Sequence, residues 1–351
     1  MPGPATPSSS EADPLGFVTW ADDRPTGGNR YNQALIRAVR RAGQPVRVQQ
    51  VAGPWPAATG RGRQALSAAL RAAPACIVDG IVASTCPDQV REAVAAGHRV
   101  AVLLHMPVTD EVGLPERTRL AYQRLEAAAV SAATVVLSPS RWAAEELHRR
   151  YGRDDVVVAP PGVDRAPVAT GSRPPHLLVL GALTPTKDQI GVLDAWAELS
   201  DLEWTAAVVG ALDAAPDYAN RVRAAARAFG GRVEVPGVRI GAALEREWSA
   251  TDLLVHHSRS ETYGLVVSEA LAHGIPAIVR AGTGAAEALG AAVPGPLPGR
   301  VIHAAELAST LRAWLTSARL RGEWREAALS RRETLPSWDA TAAAVLRALG
   351  K

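Results

Sequence analysis

Short apolar runs alternate with longer stretches of helical periodicity along most of this chain, and nothing else in the sequence restricts the fold as much. A strand, a helix and a further strand in repetition build a parallel sheet with helices on both faces. Leu15–Trp20, Val46–Val51, Cys76–Val82, Val100–Leu104, Thr134–Leu137 and Val156–Ala159 read as strands. Helices are expected near Tyr31–Ala42, with Tyr31, Leu35 and Val39 on one face, near Arg117–Ala132, and over Arg141–Arg150, where Ser140 can cap. The stretch 165–175 holds Pro167, Pro174 and Pro175 and has no apolar periodicity, which marks a boundary. The alternation then restarts with strands at Leu177–Leu180, Thr205–Val209, Val233–Val235, Leu253–His256 and Ala277–Val279, and a helix near Lys187–Leu199. From about Ala304 to Gly350 the pattern is helical, broken at Leu335-Pro336. The expectation is two open α/β domains, 15–165 and 175–336, followed by a last helix over 337–351. A cleft then lies between the C-terminal edges of the two sets of strands, where such sheets bind ligands.

Composition agrees with two buried cores: 351 residues, 47% hydrophobic and 21% charged. The net charge of +3 is small and its basic residues are scattered, so nucleic acid is not implied. Cys76 and Cys86 lack metal-ligand spacing and read as buried thiols. Residues 1–14 are rich in Pro and Ser and read as a disordered tail. They show no signal-peptide pattern, and no apolar run approaches the roughly 20 residues that span a bilayer, so a cytoplasmic protein is expected.

The stretch Ser258–Glu287 concentrates the chemistry. After the strand-like Leu253–His256 it offers Glu261, a small turn at Tyr263-Gly264 and an apolar helical run carrying Glu269. A loop that leads from a strand into a helix N-terminus gathers free N–H groups and the positive end of a dipole, which suits phosphate. On one helix Glu261 and Glu269 would stand about 12 Å apart along the axis and about 80° apart around it. A glycosidase pair needs its carboxyl groups roughly 5–9.5 Å apart. These two are better spaced to hold opposite ends of an elongated ligand: a sugar, a diphosphate and a ribose in a row. Two solvated glutamates on a surface helix would show the same spacing.

Glu261-Thr-Tyr-Gly-Leu-Val-Val-Ser-Glu269 and the following Ala270-Leu-Ala-His-Gly-Ile-Pro-Ala-Ile resemble the E-x7-E signature of retaining glycosyltransferase family 4. The resemblance runs from about Phe17 to Ala348, densest over 177–287. It implies the GT-B fold, two Rossmann-like domains facing a cleft, with the last helix crossing back to the N-terminal domain. It also implies that Glu261 touches the donor sugar and Glu269 the ribose, within a donor site spanning Tyr263, Gly264, Leu265 and Val266.

Lys187 is one of two lysines among 38 basic residues, the other being Lys351. At a strand–loop–helix junction a compact ammonium can sit between phosphate oxygens. Leu180-Gly-Ala-Leu-Thr-Pro-Thr-Lys187-Asp resembles the family's G-R-L-x-x-x-K-G segment, whose Arg and Lys neutralise the donor diphosphate. Here Ala182 replaces the Arg and Asp188 the Gly, so a nearby Arg is expected to substitute. Gly27-Gly28, between the first strand and a helix, could bring N–H groups to a phosphate or form a plain turn. Their place resembles the family's Gly-rich loop, with Asn29-Arg30-Tyr31 continuing the pattern. His105 closes a very apolar strand, and the family places a donor-sugar contact there. Asp110 and Glu111 could hold acceptor hydroxyls or amines, or stand in a solvated loop.

No D-x-D, H-E-x-x-H, G-x-S-x-G or Walker A pattern occurs. Adjacent His256 and His257 point to opposite faces of a strand and cannot chelate one metal. The reading is a metal-independent retaining glycosyltransferase with no cofactor, catalytic through His105, Lys187 and Glu261. Its partners are a nucleoside-diphosphate-sugar and a small-molecule, glycan or lipid-linked acceptor. The alternatives are an epimerase or phosphorylase of the same fold and a nucleotide-sugar-binding protein without chemistry. Arg37, Arg40 and Arg41 beside Leu35, Ile36 and Val39 raise contact with anionic lipid as a minor possibility.

Overall fold

The computed structural model describes residues 13–22, 24, 26–110 and 113–351. Residues 1–12 of the tail expected over 1–14, and the acceptor candidate Glu111, lie outside the described residues.

In the first half, β1 (Leu15–Trp20) leads to α1 (Gly27–Arg41), β2 (Val46–Val51), α2 (Gly60–Leu70) and β3 (Ala75–Asp79). The short α3 (Gly80–Ala83) and then α4 (Pro87–Ala95) precede β4 (Arg99–Leu103), α5 (Glu116–Ala132), β5 (Val135–Ser138), α6 (Arg141–Tyr151) and β6 (Val157–Val158). The second half runs β7 (His176–Leu180), α7 (Gln189–Ala197), β8 (Thr205–Val209), α8 (Pro216–Arg227), β9 (Val233–Gly237) and α9 (Ala242–Ala250). It continues with β10 (Leu253–His256), α10 (Leu265–Ala272), β11 (Ala277–Arg280), α11 (Ala285–Leu289) and β12 (Gly299–Ile302). Three helices close the chain: α12 (Leu307–Thr316), α13 (Ala318–Arg332) and α14 (Trp338–Ala348).

Each half forms one six-stranded sheet, and the pairings within both sheets are parallel. The orders are β2-β1-β3-β4-β5-β6 and β12-β11-β10-β7-β8-β9. Chain order therefore reverses between β1 and β3 in one sheet and between β7 and β10 in the other. Loops leaving the C-terminal ends of such a strand pair turn to opposite faces and leave a crevice.

Both faces of each sheet are packed, which accounts for strands that read as continuous apolar runs. The run expected as one strand over Cys76–Val82 breaks at Asp79, whose carboxylate accepts from the Ile81 N–H at 3.1 Å and starts α3. Strand β12 and helix α2 were not expected from the sequence. Cys76 and Cys86 are buried and free, and burial pushes the Cys76 thiol up to about 12.

Helix α14 leaves the second half and packs on α1. Its Trp338, Ala342, Val345 and Leu349 join Leu15, Phe17 and Tyr31 in the N-terminal core. Ser337 caps the helix, and Trp338 meets the edge of the Tyr31 ring at 5.3 Å. A Cβ on Gly162 would lie 2.1 Å from the Trp338 nitrogen, so glycine is required where α14 crosses. The same packing removes the lipid-facing surface considered for α1. Leu35, Ile36 and Val39 are buried, and Arg41 binds Asp339 of α14 at 2.7 Å. Among the described residues no helix is long and apolar enough to cross a membrane.

Candidate functional site

The reversal point of the C-terminal sheet brings the β7 and β10 exits side by side. Lys187 stands on the first loop and Glu261 on the second. Lys187 Nζ donates to Glu261 Oε2 at 2.7 Å, and His256 Nε2 lies 3.1 Å from the same oxygen. His256 ends β10 and is 5% exposed. Burial pushes its pKa down, outweighing the pull of Glu261, so the ring is neutral and its Nε2–H donates. Burial alone would push the Glu261 carboxyl up. The Lys187 ammonium and the His256 hydrogen bond overcome it and hold the group far below the usual carboxylate range.

Asp188, where the resembled segment has Gly, adopts φ 56°, and among the described residues no other non-glycine has positive φ. Aspartate is one of the few residues that tolerate this region. Its buried carboxylate gathers Arg259 at 2.7 Å and Arg280 at 3.1 Å, with His257 Nδ1 3.1 Å from Oδ2. Burial opposes ionisation here too, but His257 and Arg259 bring the pKa down to about 2. Arg259 and Arg280, either of which could have replaced the cation absent at Ala182, are thus committed to Asp188.

Gly264, at φ 90°, turns the chain into α10, and no side chain caps the helix. The side chains of Tyr263, Leu265 and Val266, expected in the donor site, pack as follows. Tyr263 is buried in the C-terminal core with its hydroxyl 3.3 Å from Ser268 Oγ. Leu265 packs against the N-terminal core and Val266 against the C-terminal one. What this turn can offer a ligand is the backbone N–H groups of the helix start. Glu269 sits one turn further in, 14% exposed, and binds the Arg30 guanidinium of α1 through both carboxylate oxygens. Burial raises its pKa in spite of Arg30.

Across the cleft, Gly27 and Gly28 are the first residues of α1 and not a loop before it. Thr26 caps the helix, accepting from the Asn29 N–H at 3.1 Å. Gly28 is small for a spatial reason: a Cβ there would come 3.1 Å from His105 Cδ2. A Cβ on Gly27 would be 3.8 Å from Leu265 Cδ1, so the starts of α1 and α10 abut. His105 Nε2 is 2.8 Å from Asn32 Oδ1, and Asn32 Nδ2 donates to Asp79 Oδ2 at 2.6 Å. The carboxylate can only accept, so it orients the Asn32 amide, and the amide oxygen in turn requires a proton on His105 Nε2. Burial lowers the His105 pKa, outweighing Asp79. Its carbonyl accepts from Thr262 Oγ1 of the other half. Asp110, an acceptor candidate, is instead tied to Arg150 and lies 3.3 Å from Ser260 Oγ.

The structure therefore brings His105, Lys187, Glu261, Glu269 and the starts of α1 and α10 to one cleft. Sequence reasoning missed the Asn32–Asp79 support of His105, the His256 bond to Glu261 and the Arg30–Glu269 pair. A polar residue ending an apolar strand was the available signal for Asp79 and His256; Arg30 had only its place after the Gly27-Gly28 pair, and Asn32 none beyond its place early in α1.

Residues 162–331 match the family model described as glycosyl transferases group 1. No curated protein matches the chain in sequence. Among solved structures, it resembles HepE of Anabaena in complex with UDP and glucose, at 18% identity over 96% of this chain and 99% of that one, TM-score 0.73. Sucrose-phosphate synthase from Thermosynechococcus elongatus is similar at 19% identity over 96% and 98%, TM-score 0.78. A glycosyltransferase from Rickettsia africae is similar at 14% identity over 95% and 97%, TM-score 0.70. With two parallel-sheet domains facing one cleft and the last helix returned to the first, the chain has the GT-B fold, and residues 162–331 of its C-terminal half are similar to the glycosyl transferases of group 1.

Proposed function

We propose that the protein is a retaining, metal-independent glycosyltransferase of family 4 that moves a sugar from a nucleoside-diphosphate-sugar to an acceptor held by the N-terminal domain. The observation that carries this is the Lys187–Glu261–His256 constellation at the reversal point of one sheet, facing His105 and the start of α1 from the other. HepE, of the same fold, has been crystallised with UDP and with UDP-glucose. In this reading the diphosphate lies at the α10 N-terminus beside Lys187, the ribose donates to Glu269, and the sugar meets Glu261 and His105.

Rate enhancement then comes from stabilising charge on the departing diphosphate and from orienting the acceptor. Glu261 suits the part of hydrogen-bond acceptor for sugar hydroxyls. Its lone pairs are stabilised by Lys187 and His256, which makes it a poor nucleophile. His105, neutral and protonated at Nε2 by its bond to Asn32, can donate no charge to the sugar but offers its ring and carbonyl as fixed polar groups.

The test is release of nucleoside diphosphate from UDP-, GDP- and ADP-sugars, with and without a panel of glycan, lipid-linked and small-molecule acceptors, in buffer and in EDTA. Acceptor-dependent release with the donor's anomeric configuration kept in the product, read by proton NMR coupling, is expected. Inverted product sinks the retaining assignment, and loss in EDTA sinks metal independence. Turnover with donor alone favours an epimerase or phosphorylase; binding without turnover favours a protein that has lost its chemistry.

A further inference from the structure

Each of the two glutamates is held by a different cation, and the two cations come from different domains. Glu261 holds Lys187 of the C-terminal domain, and Glu269 holds Arg30 of the N-terminal one. Both pairs flank the start of α10, which abuts the start of α1. A ligand that presents hydroxyls to both glutamates, with an anion between, releases both cations toward that anion. We propose that Arg30 is the second diphosphate cation of this protein, replacing the one absent at Ala182: the ribose takes Glu269 from it, and its guanidinium swings onto the phosphates opposite Lys187. This rests on the donor reading above.

Three observations favour Arg30 over other arginines. It lies in the first turn of α1, whose start abuts that of α10. Its side chain is 48% exposed, against 25% for Arg280, so it can re-aim without unpacking a core; Arg259, at 59%, is as free to move and is set apart only by its partner. Its present partner is the very carboxylate that the donor engages, whereas Arg259 and Arg280 are anchored by Asp188, which no part of the donor displaces. A planar guanidinium offers paired donors to phosphate oxygens. Because Arg30 and Lys187 sit on opposite walls, the diphosphate would also bridge the domains, coupling donor binding to cleft closure.

The exchange makes the two halves of the ligand respond with opposite sign. A bare nucleoside must displace Arg30 from Glu269 and receives nothing for it; a nucleoside diphosphate gains Arg30. Titration calorimetry of the full chain with UDP, GDP and ADP and with uridine, guanosine and adenosine compares wild type, Arg30→Ala, Arg30→Lys and Arg259→Ala. For the base wild type binds best, Arg30→Ala should weaken the diphosphate about 10- to 150-fold, the range of a charge-assisted hydrogen bond. The parent nucleoside should bind as well as before or a few-fold better, and Arg30→Lys should recover part of the diphosphate loss. Arg259→Ala should change neither. If Arg30→Ala leaves diphosphate affinity within about threefold of wild type, weakens nucleoside and diphosphate alike, or is outdone by Arg259→Ala, the proposal is overturned while the donor reading stands. Wild type that binds none of the three diphosphates overturns both.

Discussion

Lys187 Nζ lies 2.7 Å from Glu261 Oε2, so the internal lysine and the first acid of the E-x7-E stretch, 74 positions apart, are direct partners. Each is at the exit of a strand bordering the point where the C-terminal sheet reverses its order. That contact gives Lys187 a structural part beside the chemical one proposed for it.

Lys187→Ala should lower turnover by roughly 10²–10³, the scale of one lost transition-state stabiliser. It should also cost stability, about 1–3 kcal/mol, because a mostly buried Glu261 carboxylate is left with His256 alone. Adding Glu261→Gln should restore much of the stability and none of the turnover. Denaturant midpoints and kinetics on wild type and the two variants check both parts; wild-type turnover in Lys187→Ala with donor saturating would remove the residue from the mechanism.

The two glutamates should fail differently. Glu269→Ala should weaken nucleoside diphosphate about 10- to 150-fold, the ribose bond being one to a charged group. Glu261→Ala should leave that affinity nearly unchanged while lowering turnover and blurring the choice between epimeric donors. Calorimetry with the diphosphate and kinetics with two epimers decide it. Equal losses of affinity in both variants would refute the division of one ligand between them.

Asp188→Asn keeps a residue that tolerates φ 56° and removes only the charge. Because His257 and Arg259 bring the carboxyl from the ordinary 3.8 down to about 2 in the folded chain, the charge contributes stability above pH 4, and that contribution fades as pH falls from about 4 toward 2. The variant should be less stable by about 1–2 kcal/mol at neutral pH, and the gap should close in acid. Urea melts at pH 7, 4 and 3 measure it; a gap that is constant across them contradicts the assignment.

Trp338→Ala removes the aromatic that α14 inserts beside Tyr31 in the N-terminal core. Phe or Trp truncations in cores cost about 3–5 kcal/mol, and the loss should fall on the N-terminal domain. Hydrogen exchange should show faster opening of β1 and α1 than of β7 and β8. Ending the chain at Pro336 should do the same more severely and lower activity. A truncated chain with unchanged activity and compactness would show that α14 is not needed to couple the domains.

Strand and helix periodicity is local, so the sequence by itself determined the alternation and the parallel sheets, and it singled out 258–287 as the candidate site. Lys187 stood out by composition and Glu261 and Glu269 by spacing, both of which survive in one dimension. Only the tertiary structure decided which charges meet. The neutral His256 beside Glu261, the Asp79–Asn32–His105 chain and the Arg30–Glu269 pair join residues that are 5, 47, 73 and 239 positions apart. Their meeting follows from strand order, which periodicity does not encode. The same is true of Tyr263, Leu265 and Val266: a motif names them, but only the fold buries Tyr263 ahead of α10 in the C-terminal core and sets Leu265 and Val266 against the two different cores. Asp188 shows the reverse. Its left-handed backbone is what makes glycine usual there, and its carboxylate, invisible to any pattern of hydrophobicity, is repaid by two arginines that arrive from β10 and β11.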